Sequence, residues 1–196
     1  MYVILNIHWD GGWLENRPFY WAQEEVNAKQ KAFWEQIATY FRDYDEHLLF
    51  AGTNEVHADY GTPTTEHNEV FFSYLRTFID AVRSTGGRNS YRNLVIQTYN
   101  TNIDHGVNYL RIPTDQAKNR LFVEVHYYDP WDFCGDETAS AKTLWGQPFA
   151  QYGDVSSWGQ ESHVLNQFNK VKLTYVNKGY PVILGEYAPT RRSALT

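Results

Sequence analysis

The sequence predicts an α/β protein of (β/α)8 TIM-barrel type, incomplete, with about five βα units. Three observations predict it. Five short apolar runs, at about 2–8, 47–53, 94–99, 120–126 and 181–186, alternate with helical patterns, the signature of parallel βα units. Each run ends in polar or aromatic residues: His8 and Asp10, Asn54 and Glu55, Tyr99 and Asn100, His126 and Tyr128, Glu186 and Tyr187. A barrel collects its working side chains at the C-terminal ends of its strands, whereas a dinucleotide-binding sheet shows Gly-x-Gly-x-x-Gly after a strand, and that fingerprint is absent.

The first apolar run, Tyr2 to His8, leads into a helix carrying Val26, Gln30, Phe33, Ile37, Ala38 and Phe41 at i, i+3/i+4 steps, with an acidic start at Glu24 and Glu25. The second run passes from Leu48, Leu49 and Phe50 through Gly52 directly to Asn54 and Glu55. Gly52 permits close backbone packing there. A helix with Phe71, Tyr74, Leu75, Phe78, Ile79 and Val82 follows and stops at Gly86-Gly87. A shorter helical piece near 102–111 follows the third run. The last long helix holds Val164, Phe168, Val171 and Tyr175 and ends near Gly179. Linkers, repeats and low-complexity tracts are absent, so residues 1–196 read as one domain. A whole barrel needs eight strands in about 250 residues. This chain of 196 is therefore expected to be part of one.

Composition narrows the partners. A net charge of −6 argues against nucleic acid, which requires clustered Lys and Arg. No run is long and apolar enough for a membrane span, and these residues carry no signal that is expected to direct the chain to a compartment. Cys134 is the sole cysteine, so neither an internal disulfide nor a Cys-based metal site can form. Seven Trp, fifteen Tyr and eleven Phe exceed what a core of this size needs, so some rings are expected on a binding surface. Trp34 sits inside a helical pattern and reads as packing. Trp9, Trp13, Trp21, Trp131, Trp145 and Trp158 lie in or beside loops, where rings can stack on sugar faces, with Trp131 and Trp145 favoured. Arg191 and Arg192 read as a solvated tail.

Two carboxylates at the ends of apolar strands, Glu55 and Glu186, are the minimum set for splitting a glycosidic bond. His8, Asp10, Glu55 and His126 could instead ligate zinc, but the first strand carries no His-x-His, which counts against a metal hydrolase.

The stretches Asn6-Ile7-His8-Trp9-Asp10-Gly11-Gly12-Trp13, Asn54-Glu55, His126-Tyr127-Tyr128 and Gly185-Glu186-Tyr187 resemble, in order and spacing, active-site motifs of barrel strands three to seven in glycoside hydrolase family 5, the cellulase family. The Asp-Gly-Gly-Trp stretch and the aromatic loop after His126 look most like its endoglucanases that also cleave xyloglucan. The resemblance implies a retaining endo-β-1,4-glucanase acting on a β-glucan, secreted, and needing no metal or other cofactor. It matches Glu55 to the acid/base, Glu186 to the nucleophile, and His8 to a histidine near the −1 sugar. His126 matches a support of the acid/base, Tyr128 a donor to the nucleophile, and Asn54 a contact to the sugar 2-hydroxyl. Trp9, Trp13, Trp131, Trp145, Tyr99 and Asn100 are the candidate substrate contacts. The acid/base must begin protonated, so a raised pKa is expected at Glu55. Val56 and Trp9 depart from the pattern, where many members have proline and a second histidine. The family's early arginine and its tryptophan after strand eight have no counterpart. A competing reading is a fragment that binds glycan weakly or self-associates through open sheet edges.

Overall fold

The computed structural model describes residues 1–190, so Arg191 and Arg192 lie outside the described residues. The elements in order are β1 (Val3–Asn6), α1 (Tyr20–Tyr40), β2 (Leu48–Ala51), α2 (Thr65–Ser84), β3 (Leu94–Gln97), α3 (Ile103–Tyr109), β4 (Leu121–His126), α4 (Trp131–Cys134), α5 (Glu161–Thr174) and β5 (Val182–Glu186). All strand pairs are parallel, and the sheet runs β1-β2-β3-β4-β5 in sequence order. A doubly wound sheet would reverse direction at a switch point. This one never reverses, so it is an arc of a barrel.

The central strands β2, β3 and β4 are buried on both faces, with side chains alternating between them, while β1 and β5 at the edges are partly exposed. Phe50, Leu94, Ile96, Val123 and Val125 face the helices in the main core, while Leu49, Ala51, Val95, Phe122 and Ile183 pack together on the inner face. On α1 the buried stripe is Ala22, Val26, Gln30, Trp34 and Ala38. That stripe is shifted from the predicted one and places Trp34 fully inside. Gly52 has the function expected of it, since a Cβ there would collide with the Phe78 ring of α2.

The start of α1 corrects the prediction. The helix begins at Tyr20, four residues before Glu24, and its N-cap makes no side-chain hydrogen bond. Glu66 of α2 supplies the missing acceptor, taking the Tyr20 N–H at 2.7 Å. α2 starts on a capping box between Thr64 and His67 and ends before Gly86 and Gly87, both at positive φ.

Candidate active site

Backbone geometry brings the strand ends together. Glu55 adopts φ 47°, a left-handed conformation costly for a residue with a Cβ. Its neighbours hold it there. The Glu55 N–H donates to Gln97 Oε1 at 3.0 Å, His57 Nδ1 meets the Glu55 carbonyl at 2.5 Å, and the His57 N–H donates to the Glu15 carbonyl at 2.8 Å. On the far side of the arc a register shift between Val125 and His126 brings His126 opposite Glu186.

The result is a cluster around one imidazole. His126 Nδ1 lies 2.7 Å from Glu55 Oε1 and 3.6 Å from Glu186 Oε2, and Nε2 lies 3.2 Å from Glu124 Oε1. The Tyr128 hydroxyl donates to Glu186 Oε2 at 2.8 Å, and His8 Nδ1 stands 4.0 Å from Glu186 Oε1. Ligand atoms of Glu55, His126 and Glu186 all lie within 4.8 Å of one another, so the two glutamates face each other across a short gap.

That geometry sets the protonation states. Burial works against a charged His126, but the hydrogen bonds to Glu124 and Glu55 and the charge of Glu186 prevail, and its pKa is pushed up to about 9. The hydrogen bond from His126 lowers Glu55 below the usual carboxylate value, against the opposing effect of burial. This corrects the expectation of a raised Glu55. The pair carries one proton, which rests on His126. Burial and then the hydrogen bond to Glu186 push the Tyr128 hydroxyl upward, so it remains a donor. The same three atoms of Glu55, His126 and Glu186 could hold a metal ion. At neutral pH, however, the imidazolium already sits between the carboxylates as their cation, and a metal would have to displace its proton.

One consequence is testable. If Glu55 delivers a proton drawn from His126, kcat/KM falls on the alkaline side as that pair loses its proton near pH 9. Replacing Glu124 by glutamine removes one of the anions that raise His126, so the alkaline limb of a pH–rate profile moves down toward about 6.5, the ordinary histidine value. An unmoved limb would show that the proton is held elsewhere.

Glu124 was not found by sequence reasoning, though a signal existed. It stands two residues before His126, hence on the same face of β4. Gly185 opposite leaves its space, because a Cβ there would collide with the Glu124 carboxylate. Gln97, which anchors Glu55, was missed as well.

The remaining candidates divide. Asn54 is buried beside Glu55, and its Oδ1 has no partner among the described residues. Asn100 and Trp131 line a cavity of about 690 Å³ that opens beside Glu55 and Glu186. Trp9 is exposed next to His8. Tyr99, expected to face sugar, is 2% exposed. It lies in the core because Asn100 and Thr101, both at positive φ, turn the chain away, and its hydroxyl accepts the Ala58 N–H at 2.6 Å. Trp13 packs edge-on against Phe33 with Lys29 over its ring, and its indole N–H donates to Asp10. Trp145 is half-buried and donates to the Gly159 carbonyl at 2.8 Å. Both are placed as loop packing, outside the residues that line the cavity.

The family model for cellulase (glycosyl hydrolase family 5) matches residues 1–195. The chain belongs to glycosyl hydrolase family 5. Among family 5 relatives, a xyloglucan-specific endo-β-1,4-glucanase of Bacteroides ovatus is 46% identical over 202 residues, covering 100% of this chain and 39% of its own length. Endoglucanase A of Paenibacillus barcinonensis is 36% identical over 211 residues, covering 99% of this chain and 52% of its length. The structure of a Bacteroides ovatus family 5 xyloglucanase in complex with a XXXG heptasaccharide superposes with a TM-score of 0.95 at 46% identity, covering 100% of this chain and 43% of that one. A Paenibacillus pabuli family 5 xyloglucanase gives 0.91 at 37% identity, covering 98% and 57%. The chain thus spans about half or less of the relatives it matches, and the five-stranded sheet is part of their barrel.

Proposed function

We propose that this chain carries the reacting residues of a retaining endo-β-1,4-glucanase, with a β-glucan as substrate. The observation that carries the proposal is the gap of no more than 4.8 Å between carboxylate oxygens of Glu55 and Glu186. Retention needs the carboxyls about 5–5.5 Å apart, whereas inversion needs about 6.5–9.5 Å to admit a water.

In the first step Glu186 attacks the anomeric carbon, the glycosidic C–O bond breaks, and the leaving oxygen takes a proton from Glu55. The proton reaches Glu55 from His126 across their 2.7 Å hydrogen bond. In the second step Glu55, now a carboxylate, takes a proton from water while the water oxygen attacks the same carbon. That attack frees Glu186, and the proton returns to the Glu55–His126 pair. Glu124 holds His126 cationic as a source of that proton, and the Tyr128 hydroxyl steadies the charge on Glu186. Exposed Trp9 and Trp131, on the loops after β1 and β4, offer ring faces for sugars of a long chain. Because polymeric glucan does not cross a cell membrane, we infer that the enzyme acts outside the cell. An antibody that found the protein only in cytosol would refute that.

Reducing-sugar release from carboxymethylcellulose, barley β-glucan and xyloglucan tests the reading, beside Glu55→Ala and Glu186→Ala. Release by the parent alone supports it. Equal binding by all three proteins with no release favours the competing reading, a glycan-binding fragment.

The outer edges of β1 and β5 have no strand partner among the described residues, and Val3 and Ile4 on β1 are exposed. Such edges recruit other strands. We infer that the isolated chain self-associates through them, so light scattering is expected to give at least a dimer. A monodisperse monomer would overturn this.

A further inference from the structure

The left-handed backbone of Glu55 is held from two sides, and one of them leads back to the proton source. A residue's φ and ψ are set by the peptide planes that flank it. His57 fixes the plane after Glu55 through the Glu55 carbonyl. The plane before it is fixed by Gln97, the last residue of β3, whose Oε1 accepts the Glu55 N–H at 3.0 Å and the Thr53 hydroxyl at 3.3 Å. Gln97 is fully buried. An N–H needs an acceptor, so these two bonds decide which end of the amide is oxygen.

The other end, Nε2, is buried with no partner among the described residues. The two ends of an amide diverge, so an oxygen turned toward the residues that follow β2 leaves the NH2 group facing β4. There the strand register sets Glu124 directly beside Gln97. Neighbouring strands lie about 4.7–4.9 Å apart, and residues in register project from the same face of the sheet. Glu124 Oε2 is also buried with no partner among the described residues, while its Oε1 lies 3.2 Å from His126 Nε2. A buried donor and a buried acceptor placed side by side satisfy each other. From His126 the path returns to its start, since Nδ1 lies 2.7 Å from Glu55 Oε1. Glu55 N–H, Gln97 amide, Glu124 carboxylate, His126 imidazole and Glu55 carboxyl thus form a ring.

Resting on the glucanase reading, we propose that Gln97 is a positioning residue for proton transfer to the leaving oxygen: it holds the acid/base backbone at its left-handed angle and, through Glu124, keeps the imidazole aligned with the carboxyl it supplies. Without Gln97 the plane before Glu55 turns, φ relaxes toward the negative values that a residue with a Cβ prefers, and the carboxyl swings away from the leaving oxygen. Being fully buried, Gln97 acts through Glu55 and not on the sugar.

The test uses Gln97→Met, which keeps the length of the side chain and offers neither acceptor nor NH2 donor. Two leaving groups separate a misaimed acid from a loosened barrel. A sugar alcohol must take a proton as the glycosidic bond breaks, whereas a dinitrophenolate departs without one. In a double displacement kcat/KM reports only the steps up to that cleavage. Gln97→Met is expected to lose on the order of 100-fold in kcat/KM on barley β-glucan, and to stay within about 3-fold of the parent on dinitrophenyl β-cellobioside. A general loosening would lower both alike. Gln97→Asn, whose amide stops one methylene short of the Glu55 N–H, is expected to show the same selective loss with only a small cavity, and thermal melts establish that folded proteins are compared. Equal losses on the two substrates would overturn the proposal, as would variants that hydrolyse glucan within about 3-fold of the parent. If the parent cleaves glucan, either of those results removes this role and leaves the glucanase reading standing. A parent that leaves the glucan uncleaved sinks both.

Discussion

Replacing Glu186 by alanine is expected to cut reducing-sugar release from soluble β-glucan by about 10⁵-fold, or roughly 7 kcal/mol of barrier at 1.36 kcal/mol per decade. The loss is large because Glu186 forms the covalent bond, and no other carboxylate can take its place. Glu124 is buried beneath His126, and Glu55 is engaged with His126 in passing the proton to the leaving oxygen. Azide makes the result specific. In the cavity left by Glu186→Ala it attacks from the nucleophile's own face, and from a β-glucoside gives the inverted glycosyl azide. In Glu55→Ala it attacks the covalent intermediate from the other side and gives the retained product. Product anomers read by NMR therefore distinguish the roles. The same anomer from both variants, or a Glu186→Ala chain within about 10-fold of the parent, would exchange or abolish the assignments.

Much of this site was legible because strand ends advertise themselves. Leu48 to Phe50 and Val182 to Leu184 are apolar runs that stop at a glutamate, and neither needs tertiary knowledge to be placed at the mouth of a barrel. What escaped depended on partners far away in sequence. Glu55 and His126 are 71 residues apart, and only their contact shows that the imidazole lowers the carboxyl. Tyr99 ends an apolar run as Glu55 does, yet the left-handed turn at Asn100 and Thr101 returns it to the core, and threonine gives no warning of positive φ. The beginning of α1 was hidden because its acidic acceptor comes from Glu66 on another helix. In the loop after β4, Trp145 resembles Trp131 in sequence context. Only the bond to Gly159 separates a packed indole from one at the cavity rim.

The largest stability effect is expected away from the site, at Asp115. Its carboxylate and the Arg83 guanidinium are each 4% exposed and meet through two bonds, Nε to Oδ1 at 2.9 Å and Nη2 to Oδ2 at 2.6 Å. Arg83 Nη1 also donates to the carbonyls of Asn89 and Arg92 at 2.6 and 2.9 Å. The pair therefore ties the end of α2 to the turn before β3 and to the segment before β4. Asp115→Ala leaves the guanidinium buried with two carbonyls but no counter-charge, at a cost of about 3–5 kcal/mol. Against a total stability of roughly 5–15 kcal/mol, that lowers the melting temperature by about 6–20 °C for a chain of this size. Removing both charges separates a lost attraction from a stranded ion. The double variant Arg83→Met with Asp115→Leu keeps apolar volume in the site, and is expected to recover at least half of the loss. Salt up to about 0.5 M should leave the difference between parent and Asp115→Ala unchanged, because a buried pair escapes screening. A double variant that melts no higher than Asp115→Ala would mean that the carbonyl contacts of Arg83, rather than its charge balance, hold this corner of the barrel.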